Sequence, residues 1–184
     1  MNIAVYCSSS DYIPENYMIS ARKLGEWIAV SGNTLVFGGA TGGLMTEVSE
    51  GAADKGGRII GVIPHAVKRM NRQSMVCTEL VEVATMSERK AKMQELADIF
   101  VVLPGSAGTL DEMFDVFAAG VVGEHQKPII LVNENGFYEH LLLQIERMRK
   151  EEFIPIEFYK LVIVNNIDEC IEKIMRQYAD MLIR

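Results

Sequence analysis

The 184-residue sequence predicts an α/β protein: a Rossmann-like, doubly wound, mainly parallel sheet with helices on both faces. Three observations predict it. Short, continuous apolar runs rich in Val and Ile recur along the chain, which suits strands buried on both faces of a parallel sheet. Longer amphipathic stretches separate most of these runs, in the order that βαβ units require. No repeat, low-complexity tract or linker interrupts the alternation, so one domain spanning 1–184 is expected.

Taken in order, a strand at 3–7 runs into three small hydroxyls, Ser8-Ser9-Ser10, and a helix at 15–30 follows. The strand at 34–37 runs into GGATGGLM, 38–45, and a helix at 44–55 stops at Gly56-Gly57. Glycine there can take the left-handed conformation that ends a helix. After a strand at 58–63 comes the least regular stretch, 64–73 (PHAVKRMNRQ), a candidate mobile flap. A strand at 80–84 leads to Ser87, a candidate cap, and a helix at 88–96. The strand at 99–103 runs into Pro104-Gly105-Ser106-Ala107-Gly108-Thr109, and a helix at 110–122 ends near Gly123. Strands at 128–132 and 161–164, with helices at 137–150 and 167–182, complete the pattern.

Composition narrows the function classes. Hydrophobic residues at 49% and charged ones at 23% are ordinary for a globular chain. A net charge of −7 argues against a nucleic-acid surface, which needs a basic face. Cys7, Cys77 and Cys170 are odd in number and lack a CxxC spacing, so neither a disulfide framework nor a zinc site is indicated. A reducing, cytoplasmic setting fits that usage. The opening MNIAVYCSSS has no signal-peptide character, and no apolar run reaches the ~18 residues of a membrane span.

Ligands of open α/β sheets sit beyond the carboxyl ends of the strands, where the three loops after the first, second and fifth strands converge. Glycines between strand and helix let backbone N–H groups approach an anion, and the helix N-terminus adds favourable partial charge. Each loop also has a plainer reading. The glycines could serve only turns, and Thr109 with Glu112 has the T-x-x-E spacing of a capping box. Arg89 and Lys90 fall with Met86 and Met93 near one helix face, beyond a strand end on the same edge. Two cations there could balance a phosphate or stabilise a leaving group; alternatively they form a solvated basic pair. A Walker A triplet is absent, GGATGG is not G-x-G-x-x-G, and Ser87–Lys90 matches S-x-x-K without its companion motifs, so NAD, ATP and penicillin-type chemistry are not indicated. His65, His125 and His140 form no metal spacing, and the 11 methionines read as core filler.

Together these segments resemble the LOG (Lonely Guy) family of cytokinin riboside 5′-monophosphate phosphoribohydrolases, long described as lysine decarboxylases. The resemblance rests on Met86-Ser87-Glu88-Arg89-Lys90 for M-x-x-R-K and on 104–112 for PGGxGTxxE. It extends to YCSS at 6–9, GG-x-x-x-G-L-M at 38–45, GVIP at 61–64 and H-x-KP at 125–128. It implies a Rossmann-like homodimer that needs no metal or cofactor and cleaves an adenine-type base from a nucleoside 5′-monophosphate. Carried over by position, Arg89 and Glu112 are the catalytic pair. Gly105, Ser106, Gly108 and Thr109 hold the phosphate with Ser9 and Gly43 nearby, Lys90 supports the charged site, and Met86 lies near the base. Ser106, Ala40 and Thr46 stand where the family has glycines, and 118–121 (AAGV) replaces a TWAQ-like segment. The competing expectations are a non-catalytic carrier of the molybdenum-cofactor type and a broader purine or pyrimidine 5′-nucleotide nucleosidase.

Overall fold

The computed structural model describes residues 1–154 and 161–182. The elements run β1 (Asn2–Tyr6), α1 (Glu15–Val30), β2 (Thr34–Phe37), α2 (Gly43–Asp54), β3 (Arg58–Pro64), α3 (His65–Lys68) and β4 (Glu79–Val83). They continue with α4 (Met86–Leu96), β5 (Ile99–Val102), α5 (Ala107–Val121), β6 (Ile129–Val132), α6 (Glu139–Lys150), β7 (Leu161–Val164) and α7 (Ile167–Leu182). All seven strands are parallel, in the order β4-β3-β2-β1-β5-β6-β7. The chain steps outward from β1 through β2 and β3 to β4, then crosses back to place β5 on the other side of β1. That reversal makes the β1/β5 boundary the topological switch point, where a crevice opens beyond the strand ends.

Alternation along the central strands divides the core between two faces. Ile3 and Val5 of β1, with Leu35 and Phe37 of β2, meet Leu24 and Ile28 of α1, Leu44 and Val48 of α2, and Cys170 and Ile174 of α7. Ala4, Tyr6, Val36 and Phe100 face the other way, onto Met93 of α4, Met113 and Val116 of α5, and Ile145 of α6. The Tyr6 and Phe100 rings stack across the β1/β5 pair with centroids 5.9 Å apart.

The expected strands and long helices all form, with ends displaced by a few residues. Gly56 and Gly123 take positive φ at helix ends, as their positions predict. Two departures bear on the site. The stretch 64–73, expected as an irregular flap, contains α3 and is tied down: Ala40 and Gln73 form an antiparallel bridge, and the Ser74 N–H donates to the Gly39 carbonyl at 2.8 Å. The helix α5 begins at Ala107, three residues before the expected 110, so Thr109 lies within its first turn.

Candidate active site

The site begins with how α4 starts. Thr85, not Ser87, is its N-cap: Thr85 Oγ1 accepts from the Glu88 N–H at 3.1 Å, and Glu88 Oε2 accepts from the Ala84 N–H at 2.9 Å. This reciprocal cap fixes the first turn beyond β4. Arg89 then points inward and is 5% exposed. Its Nε donates to the Val62 carbonyl on β3 at 3.1 Å, and its Nη1 donates to Glu112 Oε1. A Cβ at Gly38 would sit 1.8 Å from Arg89 Nη2, so the glycine after β2 is what lets the guanidinium lie against the backbone.

Glu112 reaches the same place from α5 and is 4% exposed. No side chain caps α5, and Ser106 occupies the N-cap position, so the capping-box reading of Thr109 and Glu112 is overturned: Glu112 is held by Arg89. Burial pushes the Glu112 carboxyl above the ordinary range, and the charge and hydrogen bond of Arg89 only partly offset that. Burial likewise raises the Cys7 thiol and the Tyr6 phenol, keeping both neutral.

Two helix starts converge on this region, and they differ. At α2 the Gly42 N–H donates to Thr46 Oγ1 at 2.7 Å, and the Gly43 N–H donates to Asp11 Oδ1 at 2.9 Å. Thr46, which stands where a glycine was expected, thus serves as a local cap, and the Gly43 amide is already engaged. At α5 the first turn carries Gly108, where a Cβ would meet nothing within 4 Å and φ lies outside the left-handed region. Neither turn geometry nor packing requires glycine there. A bare Cα on that turn lets an anion come close to the amides and the positive end of the helix. Ser106 sits at φ −91°, an ordinary value for any L-residue, so the serine introduces no strain.

A cleft of about 210 Å³ joins these parts. Of the expected site residues, Ser9, Met86, Arg89, Ser106, Gly108, Thr109 and Glu112 all line it. Three do not. Gly43 is buried beneath the α2 start, and Gly105 lines an adjoining apolar hollow with Tyr12, Tyr17 and Phe137. Lys90 instead bridges α4 to α5 through Asp111 at 3.0 Å and Asp115 at 3.1 Å. Burial lowers the Lys90 pKa, but those two hydrogen bonds outweigh it and leave the group raised.

The sequence reading missed Arg72, Val67 and Met70, all of which line the cleft from the stretch after β3. A basic residue among apolar ones just past a strand end was the available signal. His125 bonds the Val116 carbonyl at 2.7 Å and packs on Phe100, outside the cleft. Among the described residues no His, Cys, Asp and Glu cluster could hold a metal ion, and no helix is long and apolar enough to cross a membrane.

Comparison with known proteins adds to this geometry. A family model described as possible lysine decarboxylase matches residues 45–174. A cytokinin riboside 5′-monophosphate phosphoribohydrolase of Rhodococcoides fascians is 37% identical over 175 residues, covering 94% of this chain and 88% of that protein. One from Arabidopsis thaliana is 35% identical over 173 residues, covering 94% of this chain and 76% of its own. Among solved structures, a molybdenum cofactor binding protein from the phototrophic bacterium Rippkaea orientalis is similar with a TM-score of 0.74 over 96% of each chain, at 24% identity, a likeness of fold.

Proposed function

The chain belongs to the LOG family, and from that membership we propose that it hydrolyses the N-glycosidic bond of a nucleoside 5′-monophosphate. The substrate is AMP or an N6-modified AMP of the cytokinin riboside type, and the products are free base and ribose 5-phosphate. One observation carries the reading. A buried Arg89–Glu112 pair and the uncapped start of α5 open into the same cleft.

The chemistry follows from that arrangement. The α5 amides, with Ser106, Gly108 and Thr109, hold the 5′-phosphate, which anchors the substrate away from the bond that breaks. Breaking the C1′–N bond builds positive charge on the ribose, and a carboxylate beside C1′ stabilises it, as carboxylates do in glycoside hydrolysis. Arg89 fixes Glu112 Oε1, leaving Oε2 to face the sugar and orient the attacking water. Met86 flanks the base. Lysine decarboxylation fits poorly. An imine-forming lysine needs a lowered pKa, whereas Lys90 is raised and, among the described residues, no lysine lines the cleft.

The reading includes cytoplasmic action by one domain over 1–184, as a homodimer. An apolar stripe on α5 supports a paired surface: Leu110, Phe114 and Val121 are half-buried, and Val122 beside it is 73% exposed. A carrier of the molybdenum-cofactor type is the second reading, and the fold likeness is compatible with it. A carrier, however, has no use for a carboxylate held by a buried guanidinium.

The test is a nucleoside monophosphate panel assayed for released base. Turnover of AMP or N6-modified AMP is expected, falling at least about 100-fold in Glu112→Gln and Arg89→Ala proteins that remain folded. Wild-type rates in both variants remove the assigned roles. Tight cofactor binding without cleavage of any nucleotide establishes the carrier instead, and equal cleavage of all bases the broader nucleosidase.

A further inference from the structure

Glycosidic cleavage leaves an electron pair on the departing base, and a group must meet that charge. Three cations stand in or near the cleft. Lys90 is outside it, held by Asp111 and Asp115. Arg89 lines it, but its guanidinium is buried and holds the carboxylate: Nε donates to the Val62 carbonyl and Nη1 to Glu112. The third is Arg72. Resting on the phosphoribohydrolase reading above, we propose that Arg72 is the leaving-group residue, donating to the departing base as the C1′–N bond breaks.

Arg72 is built into the site at both its backbone and its side chain. Its carbonyl accepts from the Thr41 N–H at 2.7 Å, next to the Ala40–Gln73 bridge. Its Nη2 donates to the carbonyls of Ser9 at 2.9 Å and Thr41 at 2.8 Å, one on each loop after β1 and β2. The guanidinium is therefore fixed before substrate arrives, which is the condition for useful electrostatic stabilisation. Among the described residues no acceptor engages its Nη1 or Nε, so donors remain for a ligand.

The apolar neighbours of Arg72 on its own stretch, Val67 and Met70, favour the base as its partner. The phosphate end of the cleft is the start of α5, and the sugar lies at Glu112. The cleft is also lined by Ala40, Met45, Val67, Met70 and Met86, apolar groups suited to a flat ring, and Arg72 lines it from the same stretch as Val67 and Met70. An arginine keeps its proton at any working pH, so Arg72 acts by charge and hydrogen bonding and transfers none. The atoms balance without it. The water oxygen bonds to C1′ and keeps one hydrogen, the other passes to Glu112, and from there it reaches the base nitrogen that took the electron pair.

A leaving group that needs no help separates this role from loop anchoring. AMP and 4-nitrophenyl ribofuranoside 5-phosphate are compared in the wild type, Arg72→Gln and Arg72→Lys, with thermal melting as the folding control. For Arg72→Gln, kcat on AMP is expected to fall about 100- to 1000-fold, while kcat on the nitrophenyl substrate falls less than about tenfold. Arg72→Lys restores part of the AMP rate; if the glutamine variant does not fold, the lysine variant carries the test through the same, smaller split. Equal losses on both substrates, a rise in KM alone, or an unchanged AMP rate overturn the proposal. A wild-type protein that cleaves no nucleoside monophosphate overturns the parent reading and this one with it. Wild-type turnover with no split between substrates overturns this one alone.

Discussion

Glu112 is a carboxylate pulled in two directions. Burial raises its pKa above the ordinary 4.5, while Arg89 lowers it, and the net direction is upward. Its ionised form is thus tolerated in the folded protein less well than in water. The contribution to stability is present below the unfolded value and is lost as pH rises through the higher folded one. In the proposed mechanism catalysis needs the ionised form, so kcat is expected to lose activity on the acid side with a midpoint above 4.5, and a phosphate dianion held at α5 as proposed would push it further up. A pH profile of kcat for the wild type, with the acid limb at or below 4.5, removes Glu112 as the group that must be ionised. At this scale the motif spacing was informative, because M-x-x-R-K and PGSAGTLDE each place one charged side chain on a helix start. The spacing could not show that Lys90, next to Arg89, turns toward Asp111 and Asp115, since neighbours on a helix diverge by about 100°. Nor could it flag Arg72, whose surroundings have no period and whose partners are main-chain carbonyls from distant loops.

Elements position those residues by how closely they approach one another. Helices α1 and α2 form the tightest such contact on the face opposite α4 and α5. A Cβ at Gly25 would lie 2.0 Å from the Val48 carbonyl oxygen, and one at Gly51 would lie 2.4 Å from that of Arg22. Both obstacles are backbone, so the helices must separate to admit even a methyl group. Gly25→Ala is expected to destabilise the fold by at least about 1–3 kcal/mol, read as a lower urea midpoint with an unchanged slope. Because α2 follows the GGATGG loop, the same variant should also weaken substrate binding; an unchanged midpoint would mean that the helices are not packed this closely. Strand positions were legible because runs such as IFVV and IILV are buried on both faces and have no polar phase to confuse. Helix starts were less so. The capping groups of α4 are Thr85 and Glu88, and Ser87, two residues after Thr85, has the same chemistry in sequence.

Across the whole molecule, net charge and local site oppose each other. The chain carries −7, which disfavours a phosphate dianion at long range. Attraction must come from oriented amides and fixed guanidinium groups within the cleft, where backbone dipoles carry no formal charge. Strand order supplies that concentration: the reversal between β1 and β5 brings loops far apart in sequence to one mouth, with β2 and β3 adding Gly38 and Arg72. Alternation of strands and helices implied a crevice of this kind, but not which strands would flank it, because the order of a parallel sheet is set by long-range packing. Since the site is assembled from the ends of several strands, ligand occupancy should stabilise the entire sheet and not one loop. Glu112→Gln should retain the phosphate contacts while losing turnover, so AMP at about 100 times its dissociation constant should stabilise that variant by about 2.7 kcal/mol. For a chain of this length that is a rise in melting temperature of about 5–10 °C. Differential scanning fluorimetry with AMP, adenosine and ribose 5-phosphate locates the source of the binding energy. Shifts from AMP and ribose 5-phosphate but little from adenosine place it at the α5 start. A shift from adenosine alone would instead make the base, held between Arg72 and the methionines, the principal anchor.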